Sequence, residues 1–469
     1  MSPETAPRYR FGPRDRRGLV LGLRTGQVVA LAVAGAVAVG LVRSVRGGLG
    51  VALALVALGI IAAVCGIPVR GRSIDEWLPT ASRFVADVAL RRKTSVVREH
   101  PSVGAPAGPG PFSLLEVTDV ESEEIRGAFG AVHDRRRGTW TAVLSLGTEQ
   151  FALLAEEERI RRVAAWAGVL AAVAGHAGGI HRLQWIERTL PDRGERFQLH
   201  LDEFGVAAGD ETDSAPSARR SYASLLNTEA SASLRHELFL ACTVRANGDA
   251  RAILAAEVAH LDERCRAAAL PVDGVLSSGG ISSLIRRSFD ASPSAAPASW
   301  PWPMALDASW SSVRTDATVH ATYWIAEWPR TDVSSDFLLP LIVGSGERRT
   351  ITVTMSPIPP VRAQRRAEHA RTSSSADAEL RRRHGITTSA RRAREFDAVA
   401  RRENELAEGH AAFRFSGYVT VTSTGTGELE RSCARIEQAA ALSRVELRRL
   451  FGAQAEALAY GLPIGRGCA

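Results

Sequence analysis

Lysine is almost missing from this chain of 469 residues: Lys93 is the single one among 58 Lys and Arg. A phosphate-cradling Walker loop sets a lysine behind a glycine-rich turn, so that backbone N–H groups wrap the phosphates while the ammonium reaches the terminal ones. Lys93 stands in LRRKTS, behind Arg92 and with no glycine run before it. The chain therefore carries no P-loop, which removes nucleotide hydrolysis by that route from the expectations. Cysteine is scarce too. Cys65, Cys242, Cys265, Cys433 and Cys468 form no Cys-x-x-Cys pair and no Cys/His zinc spacing, and read as unpaired thiols in a reducing compartment.

Other catalytic signatures are missing as well. There is no Gly-x-Ser-x-Gly elbow. RHELF at 235–239 begins like a zinc-protease helix, but position 240 is leucine where the second histidine belongs, so the expectation is a strand with His236 and Glu237 exposed. His176, His181 and His200 lie close in sequence without an acidic or cysteine partner at ligand spacing. Gly425 and Gly427 read as a turn entering a helix rather than a phosphate site. Glu403 and Glu405 beside His410 read as a solvated helix face ending at Gly409 rather than an acid/base pair. No catalytic, cofactor-binding or metal-ligating set is expected.

What is present is an ordinary folded composition, 45% hydrophobic and 23% charged, with a net charge of +7 and a pI near 9.6 that suits nucleic acid or an anionic membrane face. The arginine bias itself reads as a GC-rich genome. Two charge-free stretches, 25–42 and 47–69, each approach the roughly 20 residues that cross a hydrocarbon core, and the turn RSVR between them forces antiparallel neighbours. An immediate second span and the lack of a cleavage motif argue against a signal peptide. Arg8, Arg10, Arg14, Arg16, Arg17 and Arg24 precede the pair, and Arg70, Arg72, Arg83, Arg91, Arg92 and Lys93 follow it, against Arg43 and Arg46 in the turn. The positive-inside bias predicts a two-span cell-membrane protein with both termini cytoplasmic. Ala32, Ala36 and Gly40, with Gly59 and Ala63, recur at the four-residue spacing that lets helices pack closely. After the spans, Trp77, Leu78, Phe84, Val85 and Val88 among charges suit either the headgroup layer or packing on a soluble domain.

The expected organisation is a basic tail (1–24), a transmembrane helical hairpin (25–69), a juxtamembrane helix and linker (70–111), and two layered α/β modules (112–290 and 291–469), an α/β or α+β chain overall. Proline- and glycine-rich runs at 103–111 and 290–303 mark the linkers, and the polar run 209–220 reads as an exposed loop. Strands are predicted near 138–147, 180–190, 236–246, 317–329, 348–360 and 413–425. Helices are predicted at 156–175, 250–270, 361–408 with a break near 384–389, and 427–458. Within 361–402 twelve arginines face five acidic residues, a net of 12 − 5 = +7, with Phe396 the only aromatic. That stretch suits a solvated helix, an acidic partner, lipid headgroups or nucleic acid. Trp300, Trp302, Trp310, Trp324 and Trp328 suit a core or a partner surface.

A resemblance attaches to particular stretches. WIAEWPRTDVSSDFLLPLI, RRENELAEGHAAFRFSGYVTVT and LRRLFGAQAEALAYGLPIGRG, with FALLAEEERIRRVAAWAGVLA and IHRLQWIERTLP earlier, resemble a family of two-span membrane proteins of high-GC Gram-positive bacteria found with conjugation-type ATPases. That family is distantly similar to the N-terminal, non-motor domain of type IV secretion ATPases. The resemblance implies a membrane-anchored scaffold component of a secretion or conjugation apparatus, oligomeric within its complex, which partners an ATPase in trans and holds the docking region of a motor without the motor. The type VII secretion E component shares the hairpin-plus-domain plan by analogy, and a DNA-handling role at the channel is the other reading. Gly452, Gln454, Pro463, Gly465 and Arg466 occupy the positions resembling the ATPase domain exit, and Arg448, Arg449, Gln454 and Arg466 are the candidate partner-binding residues. If this element packs back on its module, Leu447, Leu450, Phe451, Leu458 and Leu462 are expected to be buried.

Overall fold

The computed structural model describes residues 9–11, 25–44, 48–66, 68–69, 72–97, 108–125, 127–147, 151–175, 179–191, 234–245, 248–290, 300–344, 346–383 and 390–467. The expected loop 209–220, Arg46, the break at 384–389, His176, His200 and most of the two linkers lie outside these residues. Helices α1 (Thr25–Ser44) and α2 (Gly48–Gly66) pack against each other and lead through the two-residue strands β1 (Pro68–Val69) and β2 (Arg72–Ser73) into α3 (Ile74–Ala89) and β3 (Thr94–Val96). Among the described residues no helix is long and apolar enough to cross a membrane; the side chains of 25–31, 57–58 and 60–66 lie outside that description.

The rest is mixed α/β with a large antiparallel sheet. Its first half runs β4 (Leu115–Ser122), β5 (Gly127–Asp134), β6 (Thr139–Leu146), α4 (Glu156–Gly175), β7 (Ile180–Pro191), β8 (Leu234–Arg245), α5 (Ala250–Ala267), β9 (Val272–Val275) and α6 (Ser278–Phe289). The second runs β10 (Ala305–Ala308), β11 (Val313–Arg314), β12 (Val319–Glu327), α7 (Leu339–Val343), β13 (Arg349–Ile358), α8 (Pro360–Arg383), α9 (Ala390–Ala407), β14 (Ala412–Ser423), α10 (Thr426–Leu442), β15 (Glu446–Arg449) and α11 (Gln454–Leu458). The strands join in the order β3-β10-β11-β12-β14-β13-β7-β8-β6-β5-β4.

The halves are built alike. In each, the third-introduced strand, β6 or β12, is flanked by the strand that follows two crossings later, β8 or β14, and also carries a short bulged partner, β9 or β15. The two units meet through β7 and β13, paired antiparallel from Arg349↔Thr189 to Met355↔Leu183, so the order of one half mirrors the other across that seam.

Alternation along the strands sorts residues onto two faces. Leu183 and Trp185 of β7 and Ile351 and Val353 of β13 face the side covered by α4, α5, α7 and α10, where two apolar clusters form. The intervening positions, Arg182, Gln184 and Arg188 with Thr350, Thr352 and Thr354, make the other face unusually polar. There α6 and the C-terminal residues 454–467 cover the sheet, with Ile281, Leu284, Ile285, Leu458, Leu462 and Ile464 in a third apolar cluster.

One helical expectation is corrected. The stretch 427–458 is not a single helix: α10 ends at Leu442, Arg444 takes a positive φ of 57°, and β15 then pairs with β12. Burial of Val445 and the open edge of β12 outweigh the helical spacing of the leucines.

Candidate functional site

The C-terminal element starts as an edge strand and ends as a strap. Beyond the last β15 pair, Arg449↔Tyr323, the Leu450 N–H donates to Thr322 O (3.0 Å). Gln454 then carries the ladder on with its side chain: Thr322 N–H donates to Oε1 (2.8 Å), while Nε2 donates to Thr322 O (3.2 Å) and Leu450 O (3.0 Å). Arg449 donates to both oxygens of Glu430 (2.8 and 2.9 Å) and to Ser311 O (2.7 Å), and its hydrogen bonds hold the Glu430 carboxyl below the usual carboxylate range. Arg448 pairs with Glu446 at 2.7 Å.

Arg466 sits in the other half. Its Nε donates to Asp134 Oδ2 (2.8 Å) at the end of β5, and Nη1 donates to Pro111 O (2.6 Å), both side chains of the ion pair being buried. All four sequence-nominated residues thus make contacts within the chain, Arg449 and Gln454 on β12 and Arg466 across the seam. Leu458 and Leu462 are buried, and Leu447, Leu450 and Phe451 half-buried, so the element packs back on the sheet.

Between those anchors the chain lies on the polar face. Gln184 Nε2 donates to Tyr460 O (3.0 Å) and Leu462 O (2.8 Å), and the Gly465 N–H donates back to Gln184 Oε1 (2.9 Å). Arg182 donates to Gly465 O (2.9 Å). The polar side chains of β7 thus pair the backbone of a segment that has no strand partner, as buried backbone groups require. Gly465 has a φ of 65°, and a Cβ there would overlap Thr243 Oγ1. No local pattern announces Arg182, Gln184 or Asp134 as partners of residues some 280 to 330 positions away.

The front of the element is a socket for α3. Trp77 stands against Trp310 and Phe451, with ring centroids 5.8 Å away in each case, and Phe84 meets Trp310 edge-on at 5.2 Å. Arg83 pairs with Glu456. Gly452, at a φ of 72°, donates its N–H to Trp310 O (2.7 Å); a Cβ there would stand 2.6 Å from the Trp310 ring and 3.0 Å from Thr80 Cγ2. The Gly-x-Gln motif therefore has two jobs: the glycine admits α3 and Trp310, and the glutamine grips β12.

Tyr9–Phe11, upstream of α1, also dock on the second half. Tyr9 and Val333 exchange backbone hydrogen bonds (2.8 and 3.0 Å), Arg10 pairs with Asp332 at 2.6 Å, and Phe11 stacks on Trp328 (5.0 Å) beside Phe337 and Phe415. Of the other tryptophans, Trp302 is core, stacked on Phe112 at 5.5 Å.

The remaining candidates resolve as follows. His236 and Glu237 are not exposed: His236 Nδ1 lies 2.7 Å from the buried Glu187, and Glu237 lies between Arg188 (2.8 Å) and Arg287 (3.1 Å). Burial pushes the Glu237 carboxyl up, but the charges of Arg188, Arg287 and Arg235 outweigh it and leave it below the ordinary value. Burial pushes His181 down to about 4. Glu403 pairs with Arg371 at 2.6 Å, and Gly425 caps α10. Cys242, Cys265 and Cys433 are buried, unpaired thiols whose pKa values burial raises. Among the described residues no group of three His, Cys, Asp or Glu could hold a metal ion. No family model matches the chain, and no curated protein matches it.

Proposed function

We propose that this chain is a membrane-anchored, non-enzymatic scaffold component of a type IV-like secretion or conjugation apparatus, working beside an ATPase supplied in trans. In this reading α1 and α2 are the two spans and the sheet body stands on the cytoplasmic side. Their 20 and 19 residues correspond to roughly 30 Å of helix at about 1.5 Å per residue. α2 has no charged residue, and α1 has Arg43 alone, in its last turn.

The observation that carries the proposal is that both flanks of the helix pair are tied to one body. Tyr9–Phe11 on the upstream side hold Val333 and Trp328, and α3 on the downstream side holds Trp310 and Phe451. Two crossings require the chain on both sides of the pair to lie on one side of the membrane, and these ties support that reading. Reporter fusions at residues 20 and 100 are expected inside and at 45 outside; an inside signal at all three removes the spans. Purification from detergent is expected to bring an ATPase or another machine subunit with the chain, and recovery only as a lone monomer would count against the scaffold role.

The DNA-handling reading draws on one observation, the exposure of Arg362, Arg365, Arg366, Arg371, Arg382, Arg383, Arg401 and Arg402 along the packed pair α8 and α9. Salt-dependent binding of duplex DNA by the full chain would support it, and no binding at low salt would end it.

A further inference from the structure

α3 has two apolar sides, and the sheet body uses only one. Trp77 and Phe84, seven residues apart, are spent on Trp310 and Phe451. Leu78 and Val85, also seven apart and so on a common side two turns along the helix, are 68% and 64% exposed. Val88, three residues beyond Val85, extends that surface toward the helix end, at 41%. In the helix pair that precedes α3 in the chain, Val33, Val37, Leu49 and Leu55 are also open. At the far end of α3 comes the turn Arg91, Arg92 and Lys93, all exposed, fixed in place because the Ala308 N–H donates to Lys93 O (2.9 Å).

We infer that α3 lies in the headgroup layer of an anionic bilayer, with Leu78, Val85 and Val88 dipping among the upper acyl carbons and Arg91, Arg92 and Lys93 on lipid phosphates. This rests on the reading of α1 and α2 as spans and adds a second, lateral contact with the same membrane. An interfacial helix needs an apolar side facing the acyl boundary and basic residues at headgroup level, and juxtamembrane basic clusters are drawn to anionic lipid. Here the sides are divided between two partners. The aromatic side holds the C-terminal element through Gly452, and the aliphatic side holds the membrane. The consequence is a fixed height and tilt of the sheet body over the bilayer, with the strap of residues 454–467 placed directly behind the membrane contact.

The test uses the full chain in vesicles of phosphatidylglycerol and phosphatidylcholine. Cys65 and Cys468 are replaced by serine, leaving the buried Cys242, Cys265 and Cys433. Single spin labels are placed through Val85→Cys, Arg83→Cys, which stands about 160° round the helix and whose native side chain is 64% exposed, and Leu53→Cys in α2. Collisions with oxygen, which concentrates in lipid, are compared with those with a water-soluble nickel chelate. The expected result is loss of nickel access at 85 with oxygen access retained, full nickel access at 83, and deep lipid exposure at 53. Replacing Arg91, Arg92 and Lys93 together by glutamine, or using phosphatidylcholine alone, should restore nickel access at 85. Nickel access at 85 with lipid exposure at 53 overturns the inference and leaves the spans standing. Nickel access at both overturns both, while lipid exposure at 85 with nickel access at 53 overturns the spans and keeps α3 at the surface. A label at 85 screened from both reagents means that protein covers the site, which also overturns the inference, and indifference to lipid charge and to the triple substitution overturns the assignment of the basic turn.

Discussion

Replacing Arg466 by methionine should destabilise the sheet body by about 3–5 kcal/mol, the cost of removing one partner from a buried ion pair. Methionine keeps much of the aliphatic stem, so packing is roughly preserved and the loss is electrostatic. Asp134 would remain buried, its side chain 2% exposed, with the Arg137 N–H at 3.1 Å as its remaining donor. Replacing Asp134 by asparagine alone leaves the opposite problem, a buried guanidinium held mainly by Pro111 O. The double variant has neither stranded charge. Its loss should therefore fall short of the sum of the single losses by about 2 kcal/mol or more, within the range of contacting pairs. Urea unfolding of the full chain in detergent, followed by tryptophan emission, measures all four forms. The ring of Trp302, stacked on Phe112 next to Pro111, lies close to the perturbation. Losses that simply add, within about 0.5 kcal/mol, would refute the reasoning, since they would mean the strap does not bring Arg466 to Asp134.

Three further outcomes are expected. Gly465→Ala should free the strap, since a left-handed alanine costs about 1–2 kcal/mol before the overlap with Thr243; trypsin should then cut after Arg466, which is 6% exposed in the intact chain, and resistance equal to the unmodified protein would refute the placement. Gly452→Ala should undock α3 and alter emission from Trp77 and Trp310 while the urea midpoint of the sheet holds, whereas an unchanged spectrum would show that the close approach of Trp310 is tolerated. His320, enclosed by Thr315, Thr318 and Thr422, is pushed by burial, and then by Arg348, down to about 3; below pH 6.5 the unfolded chain binds a proton that the folded one refuses, so stability should fall by up to about 1.4 kcal/mol per pH unit down to about pH 3. His320→Gln should flatten that slope, and an identical pH profile would contradict the assignment.

Elements with an unbroken period were legible in the sequence. α4 starts and stops where the run of 156–175 does, β7 and β13 follow their alternation, and the helical composition of 361–408 is met by α8 and α9. β4 and β5 were not predicted because LEVTDVES mixes its apolar positions with acidic ones, and GAFGAVHD is built of small residues that give no contrast between faces. The error at 427–458 has a similar origin. Leu447, Leu450 and Leu458 keep helical spacing, but the deciding facts, a left-handed Arg444 and an unfilled edge on β12, are tertiary. For the C-terminal segment the sequence said nothing of its contacts, because Gln184 and Asp134 lie far away along the chain.

The likeness of the halves gives the physical reason for the strap. After β9 the first half crosses to the polar face as α6, a twelve-residue helix capped by Ser277 whose Ile281, Leu284 and Ile285 cover β-strands of its own unit. After β15 the second half makes the same crossing with only five helical residues in α11, too few to cover the equivalent area. A single 3-10 turn, Ala459–Gly461, follows, and beyond it the chain bends without a regular hydrogen-bond pattern, which leaves backbone groups that need partners. Arg182 and Gln184, on the seam strand β7, supply them, which draws the run over the seam until Arg466 meets Asp134 of the first half. The same residues that close the second unit therefore brace it to the first. Since Phe451 and Gly452 at the start of this run hold α3, a displacement of that helix is transmitted to a segment bonded to both halves rather than to a free end.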